Sequence, residues 1–134
     1  MGRILVVEDN AANMKLASFL LDSAGYAVLT ASDAEAGLAI AREAKPDLIL
    51  MDIQLPGMDG LRATAILKSD ALTRDIPVIA LTALAMKGDE DRILAAGCDD
   101  YIAKPIAYKS FLATVAAQLA ASPRGASSTP AARP

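Results

Sequence analysis

Five short apolar runs, each followed by a longer stretch with apolar residues at helical spacing, constrain this chain more than any other feature. Ile4-Leu5-Val6-Val7 is rich in β-branched residues and has no polar alternation, the pattern of a strand buried on both faces. Asn10 to Ala24 then reads as a helix with Met14, Ala17, Leu20, Leu21 and Ala24 on one stripe and Gly25 as its stop. Ala27 to Ala31 is a second, weaker strand with Tyr26 at its entrance. Asp33 to Ala44 is helical, offers Ala36, Leu38, Ala39 and Ile40 for burial, and ends ahead of Pro46. Leu48 to Met51 is the third strand. Asp52 to Gly60 holds Pro56, Gly57 and Gly60, so it is a loop running into a helix over Leu61 to Lys68. Pro77 to Leu81 is the fourth strand, and Ala83 to Ala96 a helix with Gly88 inside it and Gly97 closing it. Tyr101-Ile102-Ala103 makes a short fifth strand, and Ala107 to Ala121 the last helix.

This alternation predicts an α/β fold: a (βα)5, doubly wound, five-stranded parallel sheet with right-handed crossovers and the flavodoxin-like order 2-1-3-4-5. The 134 residues suit one domain, expected over 1–121. From Ser122 to Pro134 the chain turns to Pro, Ala, Ser, Thr, Gly and Arg and reads as a disordered tail, too short for an effector domain. Lys and Arg number 13 against 16 Asp and Glu, a net charge of −3. That balance argues against nucleic-acid binding, which needs a basic face. The lone Cys98 excludes an internal disulfide and a cysteine-built zinc site, and without histidine neither imidazole catalysis nor imidazole ligation is available. The apolar run at the amino terminus is too short for a signal peptide or membrane insertion, so a cytoplasmic protein is expected.

The polar residues gain meaning on that frame. Glu8 and Asp9 follow strand one, Asp52 strand three, Thr82 strand four and Lys104 strand five. In a parallel sheet the carboxyl ends of all strands share one edge, and ligands bind there where the strand order reverses. Three adjacent carboxylates repel one another and call for a cation; all-oxygen donors suit a hard ion, Mg2+ above all, with Mn2+ as a substitute. A lysine and a hydroxyl beside such an ion make a cradle for a phosphoryl group. With no general base ready for another substrate, the nucleophile is most simply a carboxylate of the site itself.

These residues resemble a family signature. Val7-Glu8-Asp9-Asn10, Leu50 through Gly60, Ala80-Leu81-Thr82-Ala83 and Tyr101-Ile102-Ala103-Lys104-Pro105 are similar to the receiver domain of two-component response regulators, over residues 3 to about 121. More narrowly, Asn13-Met14-Lys15-Leu16, Lys45 through Pro56 and Ala85 through Glu90 resemble the DivK-type single-domain regulators of cell division and polarity, although receivers of hybrid kinases share parts of this pattern. The resemblance implies that Asp52 accepts a phosphoryl group from a histidine kinase. It implies Mg2+ held by Asp9, Asp52 and the main-chain carbonyl of Gln54, with Glu8 holding metal waters. Thr82 and Tyr101 would be switch residues, and Lys104-Pro105 a cis peptide. Gln54 and Leu84 take the two positions that tune attack by water on the acyl phosphate; an apolar Leu84 cannot orient a water, which implies a long-lived phospho-form. Partners would be histidine kinases and a histidine phosphotransfer domain, with the protein a monomer or weak dimer recruited to the cell poles by kinases.

Plainer readings exist for each residue alone. Asp9 or Asn10 can cap the first helix and Thr82 the fourth, and Lys104 can be a solvated lysine. Asp59-Gly60 and Pro56-Gly57 read as turn chemistry without a catalytic role. For Tyr101, packing at the sheet edge competes with a switch rotamer. Cys98 reads as a small apolar filler and Lys87 to Arg92 as a solvated helix face, although by the resemblance that face lies on the surface that receivers use for partners. A phosphorelay intermediate, or the detached receiver of a hybrid kinase, is the nearest rival function. The rival of another class is a Mg2+-dependent phosphatase with an aspartyl nucleophile, but such enzymes usually carry a second aspartate where Gln54 stands.

Overall fold

In a computed structural model describing residues 2–83 and 87–121, five parallel strands stand in the order β2-β1-β3-β4-β5. The strands are β1 (Arg3–Val7), β2 (Ala27–Ala31), β3 (Leu48–Asp52), β4 (Val78–Thr82) and β5 (Asp100–Ala103). Between and after them run α1 (Ala11–Ser23), α2 (Ala34–Ala44), α3 (Gly60–Ser69), α4 (Lys87–Ala95) and α5 (Tyr108–Ala121). The tail from Ser122 lies outside the described residues.

Alternation of side chains along the strands divides the core into two layers. Leu5, Val7, Ile49, Met51, Val78 and Ala80 pack with Ala34 and Ala41 of α2, Ala63 and Leu67 of α3, and Ile93 of α4. Ile4, Val6, Leu48, Leu50, Ile79, Leu81 and Ile102 pack with Ala17, Leu20 and Leu21 of α1 and with Phe111 and Val115 of α5. Every residue of β3 and β4 is buried, as a central strand covered on both faces requires. β2 is an edge strand and only Ala31 of it is buried, which is why its sequence is the least strand-like of the five.

Register brings the strand ends level. Val7 stands opposite Met51, Asp52 opposite Leu81, and Thr82 opposite Ala103. The ladder then runs one step further: the N–H groups of Glu8, Ile53 and Lys104 donate to the carbonyls of Ala31, Leu81 and Thr82 at 3.0, 3.2 and 2.7 Å. Residues just past the strands are therefore fixed by sheet hydrogen bonds rather than by loop packing.

Element boundaries differ from expectation where a proline or a cap decides them. β4 begins at Val78, because Pro77 has no N–H to donate and contributes only its carbonyl, which accepts from Ile49 N–H at 3.0 Å. Asp33, expected inside its helix, lies outside it as the N-cap, and α3 begins at Gly60 rather than Leu61, capped by Asp59; the two carboxylates accept from the N–H of Ala36 and Arg62, both at 2.8 Å. The fourth helix was expected from Ala83 to Ala96: Ala83 is an exposed bend, residues 84–86 lie outside the described residues, and the described helix runs from Lys87 to Ala95. α1 stops as expected at Gly25, whose φ of 96° suits a residue without a Cβ.

Candidate functional site

The carboxyl edge of β1 and β3 gathers the acidic residues. Glu8 is 2% exposed, held by its sheet hydrogen bond, and its Oε2 accepts from the N–H of Asn10 at 3.1 Å. Asn10 also caps α1: its Oδ1 accepts from Asn13 N–H at 2.9 Å. The cap is therefore Asn10, and the exposed Asp9 is left to face the site. Asp52, the last residue of β3, is likewise 2% exposed. Its Oδ1 accepts from the N–H of Gln54 at 2.9 Å, and its Oδ2 lies 3.2 Å from Nζ of Lys104.

Lys104 crosses from β5 to reach both buried carboxylates. Its Nζ lies 2.9 Å from Oε1 of Glu8, an ion-pair contact without the alignment of a good hydrogen bond. Burial alone would lower the lysine; the carboxylates of Glu8 and Asp52 outweigh it and hold the ammonium above its usual range. Glu8 goes the other way. Burial first, then the neighbouring Asp52, push its carboxyl up against the opposing pull of Lys104 and the Asn10 N–H. The peptide between Lys104 and Pro105 is cis. Thr82, fully buried, ends β4 on the same edge. Ala83 after it is an exposed bend rather than a first helical residue, so Thr82 caps no helix there.

Glu8, Asp9 and Asp52 each offer a carboxylate oxygen, all within 4.8 Å of one another. Three carboxylates beside one ammonium leave an excess of two negative charges in a largely buried site. A divalent hard cation with oxygen ligands fits that donor set.

The structure thus brings together Glu8, Asp9, Asp52 and Lys104, sets Thr82 on their edge, and engages Gln54 through its N–H. Leu84 lies outside the described residues. Tyr101 stands apart from the carboxylates: its ring is half-buried against the layer formed by α2, α3 and α4, and its hydroxyl donates to Oε1 of Glu90 on α4. That bond, with some burial, raises the phenol above its usual range. Packing and a specific hydrogen bond therefore coexist at this position. In the sequence, Glu90 reads as part of a charged, solvated helix face on the partner surface, with no bond to Tyr101 expected. A signal for it did exist: Glu90 sits three residues before Ile93, the buried contact of α4, and so shares its inward face.

Among the described residues no helix is long and apolar enough to cross a membrane. A family model described as "Response regulator receiver domain" matches residues 4–116. The polar-differentiation response regulator DivK of Brucella anthropi is 50% identical over 116 residues, covering 87% of this chain and 94% of its own. Among solved structures, the receiver domain of a sensor histidine kinase from Pseudomonas aeruginosa, with a magnesium ion coordinated in its active-site cleft, is 38% identical with a TM-score of 0.79 over 85% of this chain and 93% of its own. The signal receiver domain of a histidine kinase from Syntrophus aciditrophicus superposes with a TM-score of 0.84 at 32% identity, over 92% and 94% of the two chains.

Proposed function

The chain belongs to the response regulator receiver family and is DivK-like, and on that premise we propose that it is a signalling switch whose Asp52 accepts a phosphoryl group from the phosphohistidine of a histidine kinase. The observation that carries this reading is the Lys104 ammonium set between Glu8 and Asp52, at 2.9 and 3.2 Å, inside a three-carboxylate cluster. An Asp52 oxygen attacks phosphorus, the P–O bond forms as the P–N bond breaks, and the departing imidazole nitrogen keeps the electron pair. Lys104 balances charge on the phosphoryl oxygens, Thr82 donates a hydrogen bond to one of them, and the Gln54 N–H holds the other Asp52 oxygen in place. Glu8, Asp9, Asp52 and the Gln54 carbonyl would hold Mg2+, which when bound neutralises charge and orients the phosphoryl group.

The output would be a change of protein partner through the face built by α4, β5 and α5, with Thr82 and Tyr101 as its moving parts. Recruitment to the cell poles by kinases is part of the same reading, and the relative named as a polar-differentiation regulator supports the polar location. The likeness to receivers of sensor histidine kinases supports a second reading, passage of phosphate along a relay through a histidine phosphotransfer domain. Timed phosphotransfer against kinases and phosphotransfer domains separates the two, since only a relay member returns phosphate. An apolar Leu84 favours a long-lived acyl phosphate. Leu84→Glu should shorten its half-life, and an unchanged half-life refutes that reading.

The decisive experiment is phosphorylation by acetyl phosphate in Mg2+, followed by intact mass. Wild type should gain one phosphoryl group; Asp52→Asn, and wild type in chelator, should gain none. A modified Asp52→Asn protein would move the acceptor elsewhere, and full modification in chelator would sink the metal assignment.

A further inference from the structure

We propose that Gly60 is a positioning residue for the phosphoacceptor, because α3 begins against the main chain that carries Asp52 and only a residue without a Cβ leaves that chain where it is. A Cβ built on Gly60 would lie 2.1 Å from the carbonyl oxygen of Asp52, 2.8 Å from its carbonyl carbon and 2.7 Å from Cα of Ile53. All three are backbone atoms of a buried strand end, so none can swing aside as a side chain would. The N–H of Gly60 donates to the carbonyl of Ile53 at 3.2 Å and pins the same segment.

Backbone conformation does not explain this glycine. Gly60 is the first residue of a helix and is absent from the glycines with positive φ, which are Gly25, Gly57 and Gly97. Gly57 makes the contrast: its φ is 76° and a Cβ there would meet nothing within 4 Å. Gly57 serves a turn, whereas Gly60 serves a close approach. The segment it touches runs from Asp52 to Gln54, whose N–H holds Oδ1 of Asp52 at 2.9 Å. Pushing the Asp52–Ile53 peptide therefore displaces the carboxylate and its hydrogen-bond donor together, away from Lys104 Nζ at 3.2 Å. A misplacement of about 1 Å at a reacting group can cost about a hundredfold in rate.

The inference rests on the reading of Asp52 as phosphoacceptor, and its test carries Asp52→Asn alongside to judge that reading separately. Two matched pairs are compared by acetyl phosphate labelling rate in Mg2+ and by the Gln54 amide resonance in metal-free protein. Gly60→Ala is set against Gly97→Ala, a strained substitution before β5 (φ 108°) whose Cβ would meet the flexible Lys68 side chain at the far end of α3, 2.9 Å away, rather than any backbone near Asp52. Asp59→Ala, which removes the cap seating the first turn of α3, is set against Asp33→Ala, which removes the same kind of cap from α2. Gly60→Ala should slow labelling at least about tenfold and shift the Gln54 resonance. Asp59→Ala should slow it about fivefold, the factor that about 1 kcal/mol represents. Both controls should label within twofold of wild type despite their lower Tm. Labelling of Gly60→Ala or Asp59→Ala at the rate of its control overturns the inference, while labelling of Asp52→Asn overturns the reading beneath it. If Gly60→Ala does not fold, the pair of cap variants decides.

Discussion

The carboxyl edge around Asp52 and the face around Tyr101 are held in opposite ways. At the edge, Glu8, Asp52 and Lys104 sit at strand ends, their backbones in the sheet ladder and their side chains locked by one another in a site that is nearly dry. On the α4 face, Ile93 is the one fully buried side chain among the described residues of a short helix, while Leu94 is 51% exposed and Tyr101 reaches Glu90 through one hydroxyl. The first region is over-determined and charged; the second is lightly held and cheap to rearrange. Phosphoryl chemistry depends on preorganised groups, and a partner-binding face depends on having two accessible arrangements. The function proposed above would need both in one small sheet, and on that reading the division of labour would follow the burial.

The sharpest way to break that contrast is Lys104→Gln. Losing the ammonium removes the charge balance for the incoming phosphoryl group, so acetyl phosphate labelling should slow about a hundredfold. The same change leaves Glu8 and Asp52 facing each other without a cation. It should lower the stability of metal-free protein by about 2 kcal/mol, less than a fully buried broken pair because Glu8 can take up a proton. Denaturant unfolding in chelator measures it; an unchanged midpoint would mean that the ion pair holds nothing.

Glu8→Gln tests the same site with the opposite sign. A carboxyl raised in the folded state binds its proton more tightly there than in the unfolded chain. Its favourable contribution is present in acid and is lost as pH rises through the folded value, so ionised Glu8 is a net burden at neutral pH. Metal-free Glu8→Gln should therefore melt above wild type at pH 7, and the gain should vanish in acid, where Glu8 is protonated in both states. Bound Mg2+ should shrink the advantage by stabilising the wild type more than the variant, which lacks one of the three carboxylates. A variant less stable than wild type at pH 7 in chelator would contradict the raised carboxyl.

The carboxyl edge was legible in the sequence because its residues are tied to strand ends, and strand ends follow from apolar runs. Val7 predicts where Glu8 and Asp9 emerge, Met51 where Asp52 does, and Leu81 where Thr82 does. What was not legible depends on distances between elements. Nothing in the run Met58-Asp59-Gly60 says that a Cβ at Gly60 would strike the Asp52 carbonyl, so the glycine reads as a turn residue. Asp9 and Asn10 are equally good caps on paper; the choice of Asn10 came from which side chain reaches Asn13 N–H. Glu90 failed for a related reason. Charge counts toward solvent in a sequence pattern, and only the placement of Ile93 turns that carboxylate inward.

Glu90→Gln is the smallest of these changes and probes the lightly held face. An ionised acceptor raises the Tyr101 phenol, so the hydroxyl's contribution is present at neutral pH and lost as pH rises through the raised value. With a neutral amide in place of Glu90, one of the three tyrosine titrations seen by ultraviolet absorbance should fall toward its ordinary value. Acetyl phosphate labelling should stay within twofold of wild type, because Tyr101 makes no contact with the carboxylate cluster that would transmit the change to Asp52. Tm should move little, since a half-exposed bond is screened by water. Binding to a phosphorylation-dependent partner should change instead, and Tyr101→Phe should reproduce that change because it removes the same bond from the other end. If both substitutions left partner binding untouched while slowing labelling, the two regions would be one mechanical unit. The difference in burial would then no longer separate chemistry from output.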